Sequence, residues 1–244
     1  CPDHVEARRQ LRLWYCTALG RELQEREQRE LSQVLPNLFG YHLLQVGRPM
    51  ESDLLTASRI SHRMVMEESG QPEASFRGQS DQWPIASGSL DVVLLPHTLE
   101  YVARPHEVLR EAERTLIPEG HLLILGFNPW SQYGLRRLFS GWRNVSPWCG
   151  HFYSTLRLRD WLALLGFDTA LVRPYFFRPP LQNERIMRRL NALERAGERF
   201  PLPGGGYLLV AKKRVTTLTP IKPRWRRSLV SVGRTEPTAR RNRI

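Results

Sequence analysis

Two residues that follow strand-like runs could bind a nucleotide-like ligand. Gly47 follows the run His42–Val46, and Glu67 lies 20 residues further on, after a second run, Arg63–Met66. Glycine permits a tight turn after a strand, and an acid at about this spacing accepts hydrogen bonds from ribose hydroxyls in nucleotide-binding sheets. A glutamate pair before the polar segment Ser69–Pro72 is also typical of a solvated turn, so both interpretations of Glu67 stay open.

A histidine after a third apolar run is a candidate general base. His97 comes just after the run Leu90–Leu95. Its imidazole is the side chain that most readily exchanges a proton near neutral pH. Histidine at such a helix start is also common as a packing or capping residue. We therefore name His97 as the catalytic candidate and keep the structural alternative.

A central β–α–β unit between Ser87 and Pro129 must position these residues. Two strand-like runs, Leu90–Leu95 and His121–Gly126, flank a segment with helical spacing of apolar residues. These apolar positions are Leu99, Val102, Val108, Leu109, Ala112 and Leu116. A right-handed crossover of this kind predicts a buried parallel sheet with helices on its faces. Ligands bind at the carboxyl ends of such strands, here near Pro96–His97 and Phe127–Asn128.

The same unit resembles the small-molecule type of class I S-adenosylmethionine-dependent methyltransferase. The resemblance rests on LDVV at 90–93, HTLE at 97–100, REA at 110–112 and LIPEGHL at 116–122. Glu119 stands where the family has a glycine, and Tyr101 stands where it has a histidine. The resemblance implies an α/β fold, a Rossmann-like sheet of seven strands with helices on both faces.

The resemblance also implies S-adenosylmethionine as the cofactor, with a degenerate binding loop. The family pattern (D/E)xGxGxG becomes Gln45, Gly47, Pro49 and Glu51 in this chain, so only the first glycine is present. Proline fixes φ and lacks an N–H, so the loop cannot copy the usual geometry at residue 49.

The family's adenine-binding segment corresponds to the chain after Gly78. The aspartate that contacts adenine there aligns with Gln79, and Asp81 is the nearest carboxylate. Trp83 either lies beside the adenine or packs in the core. The cofactor-binding residues predicted from the resemblance and the strand ends are Gln45, Gly47, Glu67, Gln79, Ser80 and Pro96.

Three regions follow from the chain's organisation. Residues 1–35 form a predicted helical cap, amphipathic from Ala7 to Leu35, which either covers the cofactor cleft as a lid or simply covers a sheet edge. Residues 36–214 form the methyltransferase-like domain, with an insert at 130–150. Its end, GGGYLLVAKKR, resembles the antiparallel seventh strand that distinguishes these enzymes from dehydrogenases. Residues 215–244 are a predicted disordered tail.

The charge is concentrated in that tail. The chain carries +12 overall, and residues 212–244 contain eleven Lys or Arg and one Glu, which leaves about +2 for the rest. A basic tail suggests contact with a polyanion, and a merely solvated terminus is the alternative.

Three cysteines without a CxxC pair, and no HExxH, indicate neither disulfides nor a metal, which fits a reducing cytoplasm. No apolar run is long enough to predict a membrane span.

Together these observations predict an enzyme that transfers a methyl group from S-adenosylmethionine to a small or carrier-borne acceptor. The first alternative is a methyltransferase fold without catalysis that serves as an adaptor with a basic tail. A nicotinamide dehydrogenase is disfavoured by the missing GxGxxG pattern. Asn128-Pro129-Trp130 is similar to a nucleobase methyltransferase motif, but it follows the fifth strand rather than the fourth, so we reject that substrate class.

Overall fold

A computed structural model describes residues 4–50, 53–68, 74–140, 148–177 and 204–214. The helices are α1 (His4–Tyr15), α2 (Ala18–Val34), α3 (Pro105–Thr115), α4 (Gln132–Ser140) and α5 (Thr155–Leu164), with 3-10 turns at Leu35–Asn37 and Leu99–Tyr101. The strands are β1 (His42–Val46), β2 (His62–Glu67), β3 (Phe76–Arg77), β4 (Leu90–Pro96), β5 (Leu116–Phe127), β6 (Phe167–Tyr175) and β7 (Gly206–Lys213).

The described strands form one sheet in the order β3-β2-β1-β4-β5-β7-β6. The first five strands run parallel, and β7 lies antiparallel between β5 and β6. The predicted Rossmann-like sheet of seven strands is therefore confirmed, including the antiparallel last strand. The carboxyl ends of β1, β2 and β4 lie side by side, because these strands are parallel neighbours.

Both faces of the sheet are covered by helices. In β4, Val92 and Leu94 pack with α1 and α2, whereas Val93 and Leu95 pack with α3 and α5. This alternation follows from the two-residue period of a strand. Since both faces are buried, the central strands are continuous apolar runs, as the sequence indicates.

The crossover helix begins later than the apolar spacing predicts. Leu99 lies in a 3-10 turn, Val102 lies between the two elements, and α3 starts only at Pro105. A proline disfavours helical backbone at the residue before it, and Arg104 has φ −126° and ψ 76°. Leu116, at the other end of the predicted helical segment, already belongs to β5.

The N-terminal helical segment is divided at Cys16-Thr17, between α1 and α2. Thr17 caps α2, and its hydroxyl accepts the Gly20 N–H at 3.2 Å. Gly20 has a packing role inside α2, because a Cβ there would lie 2.3 Å from the carbonyl oxygen of Trp14. The two helices therefore meet closely at a short break.

Glu119 adopts the left-handed backbone that its glycine-like position in the family pattern suggests. Its φ is +68°, a region that residues other than glycine seldom adopt. Glu51 and the tail predicted at 215–244 lie outside the described residues. Within the described ranges, no helix has the length and hydropathy to cross a membrane.

Candidate functional site

A cleft lies at the carboxyl ends of the parallel strands, under helix α1. Its walls are Gly47–Pro49, Glu67 and Pro96–Thr98 from the strand ends and Arg8, Leu11 and Arg12 from α1. The space left between them is about 20 Å³, which suits about one or two water molecules. Three of the predicted cofactor residues, Gly47, Glu67 and Pro96, therefore meet at one place, and α1 fills most of it.

The turn after β1 uses its backbone donors internally. Gly47 has φ +85°, and its N–H donates to the Met66 carbonyl at 2.9 Å. The Arg48 N–H donates to a carboxylate oxygen of Glu67. Pro49 has no N–H. The buried Gln45 amide donates to the Gly47 carbonyl at 2.9 Å, so Gln45 supports the turn from behind. The first three residues of this turn thus offer no free backbone donor to a ligand.

The two glutamates at the carboxyl end of β2, Glu67 and Glu68, lie near the guanidinium of Arg8. Arg8 donates to Glu68 at 2.9 Å and to the Ser80 hydroxyl at 2.7 Å. The side chain of Arg8 is only 14% exposed, and burial lowers its pKa against the attraction of Glu68 and Glu67. Glu67 itself is buried and anchors the Arg48 backbone. Of the two partners of Arg8, Ser80 is a predicted cofactor-binding residue and Glu68 is the neighbour of another, Glu67.

Arg12 presents an unsatisfied donor in the same cleft. Its Nη1 atom is buried and has no hydrogen-bond partner among the described residues. Leaving a buried charged donor without an acceptor costs free energy. This nitrogen is therefore suited to an anionic group that enters the cleft.

The residues predicted around the adenine are divided between surface and core. Gln79 is exposed and pairs with Gln82 in a short bridge. Asp81 pairs with Arg104 at 2.6 Å. Trp83 is buried in the core beside α3, and its indole N–H donates to the Ser80 carbonyl at 2.8 Å, which favours the core interpretation.

His97 lies in a buried polar cluster that joins α2 to the sheet. Its Nε2 is 2.8 Å from Glu27 of α2, and its Nδ1 is 3.2 Å from Glu100. Glu27 also accepts hydrogen bonds from the hydroxyls of Tyr15 and Tyr175, both at 3.1 Å. We call these five residues the Glu27 cluster. All five are buried, so His97 lies beneath the cleft rather than open at its mouth.

The Glu27 cluster changes the protonation of His97. Burial alone would lower the pKa of His97, but the carboxylates of Glu27 and Glu100 outweigh it and raise the pKa from 6.5 to about 10. In this arrangement His97 is an imidazolium near neutral pH and has no lone pair with which to accept a proton. The second oxygen of Glu100 is buried without a partner in the described part of the chain.

Sequence reasoning missed the contributions of the two N-terminal helices. Arg8 and Arg12 are one helical turn apart and flank the buried Leu11, a spacing that places them on one face. Glu27 lies between Leu23 and Leu31 at intervals of four, an acid within an apolar stripe. That pattern was visible in the sequence and could have identified Glu27 as a buried acid.

The raised pKa of His97 makes stability depend on pH. A histidine whose folded pKa exceeds its unfolded pKa contributes stability that is complete below pH 6.5 and is lost as the pH rises toward 10. We expect the free energy of unfolding to fall by several kcal/mol between pH 6.5 and 9.5. The expected slope is about 1.4 kcal/mol for each pH unit, since this is the free energy that corresponds to one pKa unit. Urea unfolding across that range measures this loss. In His97→Gln the slope should largely disappear, and an unchanged slope would contradict the assignment.

Comparisons with known proteins identify relatives of the chain. A family model described as "Methyltransferase domain" matches residues 43–124, which run from β1 into β5 and include the strand-end wall of the cleft. The uncharacterized protein YafS of Escherichia coli (strain K12) is 34% identical over 206 residues, which cover 84% of this chain and 82% of YafS. A malonyl-[acyl-carrier protein] O-methyltransferase of Laribacter hongkongensis (strain HLHK9) is 32% identical over 107 residues, 44% of this chain and 33% of that protein.

Solved structures support the same fold. A possible histamine N-methyltransferase from Thermotoga maritima, described as S-adenosylmethionine-dependent, superimposes with a TM-score of 0.59. The match covers 82% of this chain and 93% of that one at 17% sequence identity, so it supports the fold alone. With the family model, the match to YafS and the sheet order, it leads to one conclusion: this chain belongs to the class I S-adenosylmethionine-dependent methyltransferase family.

Proposed function

We propose that this protein transfers a methyl group from S-adenosylmethionine to a carboxylate on a small or carrier-borne acceptor. The observation that carries the cofactor part of the proposal is the unpartnered Nη1 of Arg12 beside the Gly47 turn, within the strand-end cleft. S-adenosylmethionine has an α-carboxylate at its methionine end, the kind of group that a buried guanidinium binds through charge-assisted hydrogen bonds. The residues present therefore fit the family's cofactor.

The loop sequence explains why a side chain would take this role. In a glycine-rich loop, backbone N–H groups can face a ligand. Here the Gly47 and Arg48 N–H groups are engaged and Pro49 has none. The anionic end of the cofactor would then rely on Arg12 of α1. On this proposal the degenerate loop is compatible with cofactor binding, because the missing donors are replaced by a guanidinium.

Other strand-end residues would hold the rest of the cofactor. Glu67 is suited to ribose hydroxyls through the carboxylate oxygen that does not bind Arg48. Gln79 and Ser80, which follow β3, would contact the adenine. When bound, S-adenosylmethionine supplies an activated methyl group on a sulfonium. The chain's own task is to orient the acceptor and exclude water.

The protonation of His97 favours an acceptor that needs no general base. With Glu27 and Glu100 beside it, His97 is protonated and cannot deprotonate an alcohol or an amine cation near neutral pH. A carboxylate is already ionised at that pH and can attack a methyl group directly. The partial similarity to a malonyl-[acyl-carrier protein] O-methyltransferase supports the same acceptor class.

The three cysteines, which form no CxxC pair, favour the reducing cytoplasm as the compartment of the protein.

A specific observation also keeps the adaptor hypothesis as the second candidate. Helix α1 leaves about 20 Å³ of free space in the cleft among the described residues, far less than the volume of a cofactor of this size. An adaptor would keep α1 there permanently. Calorimetric titration with S-adenosylmethionine and with its demethylated product, S-adenosylhomocysteine, separates the two, since an adaptor would give neither heat nor a thermal shift.

Arg12→Ala should weaken the binding of S-adenosylhomocysteine by about 10- to 100-fold, the loss expected for a hydrogen bond between charged groups. Arg9→Ala is the matched control, because Arg9 lies on the same helix with its side chain 70% exposed. Calorimetry measures both. Decarboxylated S-adenosylmethionine sharpens the test: it should bind the wild type and Arg12→Ala about equally. If Arg12→Ala weakened both ligands alike, Arg12 would not contact the carboxylate.

The carboxylate acceptor predicts the product of the reaction. Incubated with methyl-labelled S-adenosylmethionine, a malonyl thioester on a carrier protein or on its pantetheine arm should gain a methyl ester that mild base releases. The acetyl thioester, which lacks the free carboxylate, is the control and should gain no label. Label in an amine or hydroxyl acceptor that resists mild base, with none in the malonyl thioester, would contradict this acceptor class.

We also propose that the basic tail contacts a polyanion. Removal of residues 216–244 deletes eight cations. Binding to a nucleic acid releases counterions, so it should weaken steeply between about 50 and 200 mM salt. Retention on heparin across that range should fall in the truncated protein, while its melting temperature stays close to that of the full chain. Equal retention of both forms would exclude the tail as the polyanion site.

A further inference from the structure

Arg8 and Arg12 lie in the same cleft but differ in what they contact. Both guanidinium groups extend from one face of α1, one turn apart. Arg12 has a buried nitrogen without a partner among the described residues, whereas Arg8 makes two short polar contacts, to Glu68 and Ser80. The two arginines are therefore suited to different roles toward a ligand.

The contacts of Arg8 hold α1 against the ends of β2 and β3. Glu68 directly follows β2, and Ser80 follows β3. The buried side of α1, which includes Ala7 and Leu11, then packs over the strand ends. Among the described residues, the space left between α1 and these strand ends is about 20 Å³, less than a molecule of nucleoside size requires. A ligand of that size can occupy this space only if α1 moves away from these ends.

The connection between the helices allows α1 to move without unfolding α2. The helical hydrogen bonding is interrupted at Cys16-Thr17, where the hydroxyl of Thr17 caps α2 by accepting the Gly20 N–H. The N–H and the hydroxyl of Thr17 both donate to the Trp14 carbonyl, which attaches the Tyr15 end of α1 to the start of α2. Glu27 and the rest of α2 stay attached to His97 of the sheet. At the far end of α1, Tyr15 donates to Glu27. The Arg8 end can therefore separate from the strand ends while the Tyr15 end stays in place.

We propose that Arg8 is an internal competitor of the cofactor: its guanidinium closes the strand-end cleft by binding Glu68 and Ser80, and the cofactor binds only after these contacts break. This inference rests on the proposed function, since it concerns the same cleft. It assigns opposite roles to neighbouring residues. Arg8 opposes binding, and Arg12 supports it.

Such competition weakens the measured affinity, because the measured Kd equals the intrinsic Kd divided by the fraction of molecules in which the cleft is open. Arg8→Ala removes both polar contacts and leaves the strand-end acceptors free. It should lower the melting temperature of the protein alone, because Glu68 and Ser80 lose their partner. It should nevertheless bind S-adenosylhomocysteine more tightly. A residue with only a structural role would not combine lower stability with higher affinity.

The test compares Arg8→Ala, Arg12→Ala and Arg9→Ala in the full chain, with S-adenosylhomocysteine as the probe. By calorimetry and stopped-flow binding, Arg8→Ala should tighten the Kd about tenfold, mainly through a faster association rate, if the cleft is open in about a tenth of the molecules. Arg12→Ala should weaken binding, and Arg9→Ala should leave it unchanged. Arg8→Gln, which keeps an amide donor and most of the side-chain volume, should lie between the wild type and Arg8→Ala and serves if Arg8→Ala does not fold.

Two results would overturn the inference, and they differ from failure of the proposed function. Unchanged affinity in both Arg8 variants would show that the contacts with Glu68 and Ser80 do not limit binding. Weaker affinity with faster dissociation would show that Arg8 grips the bound cofactor. In both cases the wild type still binds, so the proposed function survives. If neither the wild type nor any variant binds the probe, both proposals fail.

Discussion

The turn after β1 sets the main constraint on this molecule. Its first three residues have no backbone donor free for a ligand, because the Gly47 and Arg48 N–H groups are engaged within the sheet edge and Pro49 has none. An anionic ligand beside these three residues would then be bound by side chains. Two cationic side chains that line the cleft, those of Arg8 and Arg12, belong to α1, a helix outside the region that the family model matches. On the proposed function, cofactor recognition is thereby linked to the position of an N-terminal helix.

This link also relates the cleft to the Glu27 cluster beneath it. Tyr15 at the end of α1 donates to Glu27, and Glu27 lies against His97 at the end of β4. The cluster is buried and combines two carboxylates with one imidazolium, so removing the imidazolium would leave two buried carboxylates without a compensating charge. It therefore fixes α2 on the sheet, whereas the Arg8 end of α1 is held by two polar contacts and by the packing of Ala7 and Leu11. On the proposal for Arg8, the Tyr15 end of α1 stays attached to Glu27 and the Arg8 end separates from the strand ends.

The fold could be predicted from the sequence because its signals are local and periodic. The strand runs and the Leu90–Phe127 unit follow from apolar patterns that a buried sheet requires, whereas the antiparallel β7 is predicted from the resemblance of GGGYLLVAKKR to the family. Gly47, Glu67 and Pro96 could be placed together for the same reason, since parallel neighbours end at one edge. The contacts of Arg8, Arg12 and Glu27 depend on how α1 and α2 dock, and helix periodicity gives a face without giving its partner. The protonation of His97 depends on a carboxylate 70 positions away in the chain, which no local pattern specifies.

A crystal structure with S-adenosylhomocysteine tests the central claim most directly, because it locates both arginines and the ligand's carboxylate at once. We predict that the carboxylate accepts hydrogen bonds from the Arg12 guanidinium, that Arg8 is separated from Ser80, and that Glu27 remains on His97. A carboxylate bound by backbone N–H groups of the turn after β1, with Arg12 elsewhere, would contradict the account. So would a ligand bound in a different part of the molecule while α1 still fills the cleft.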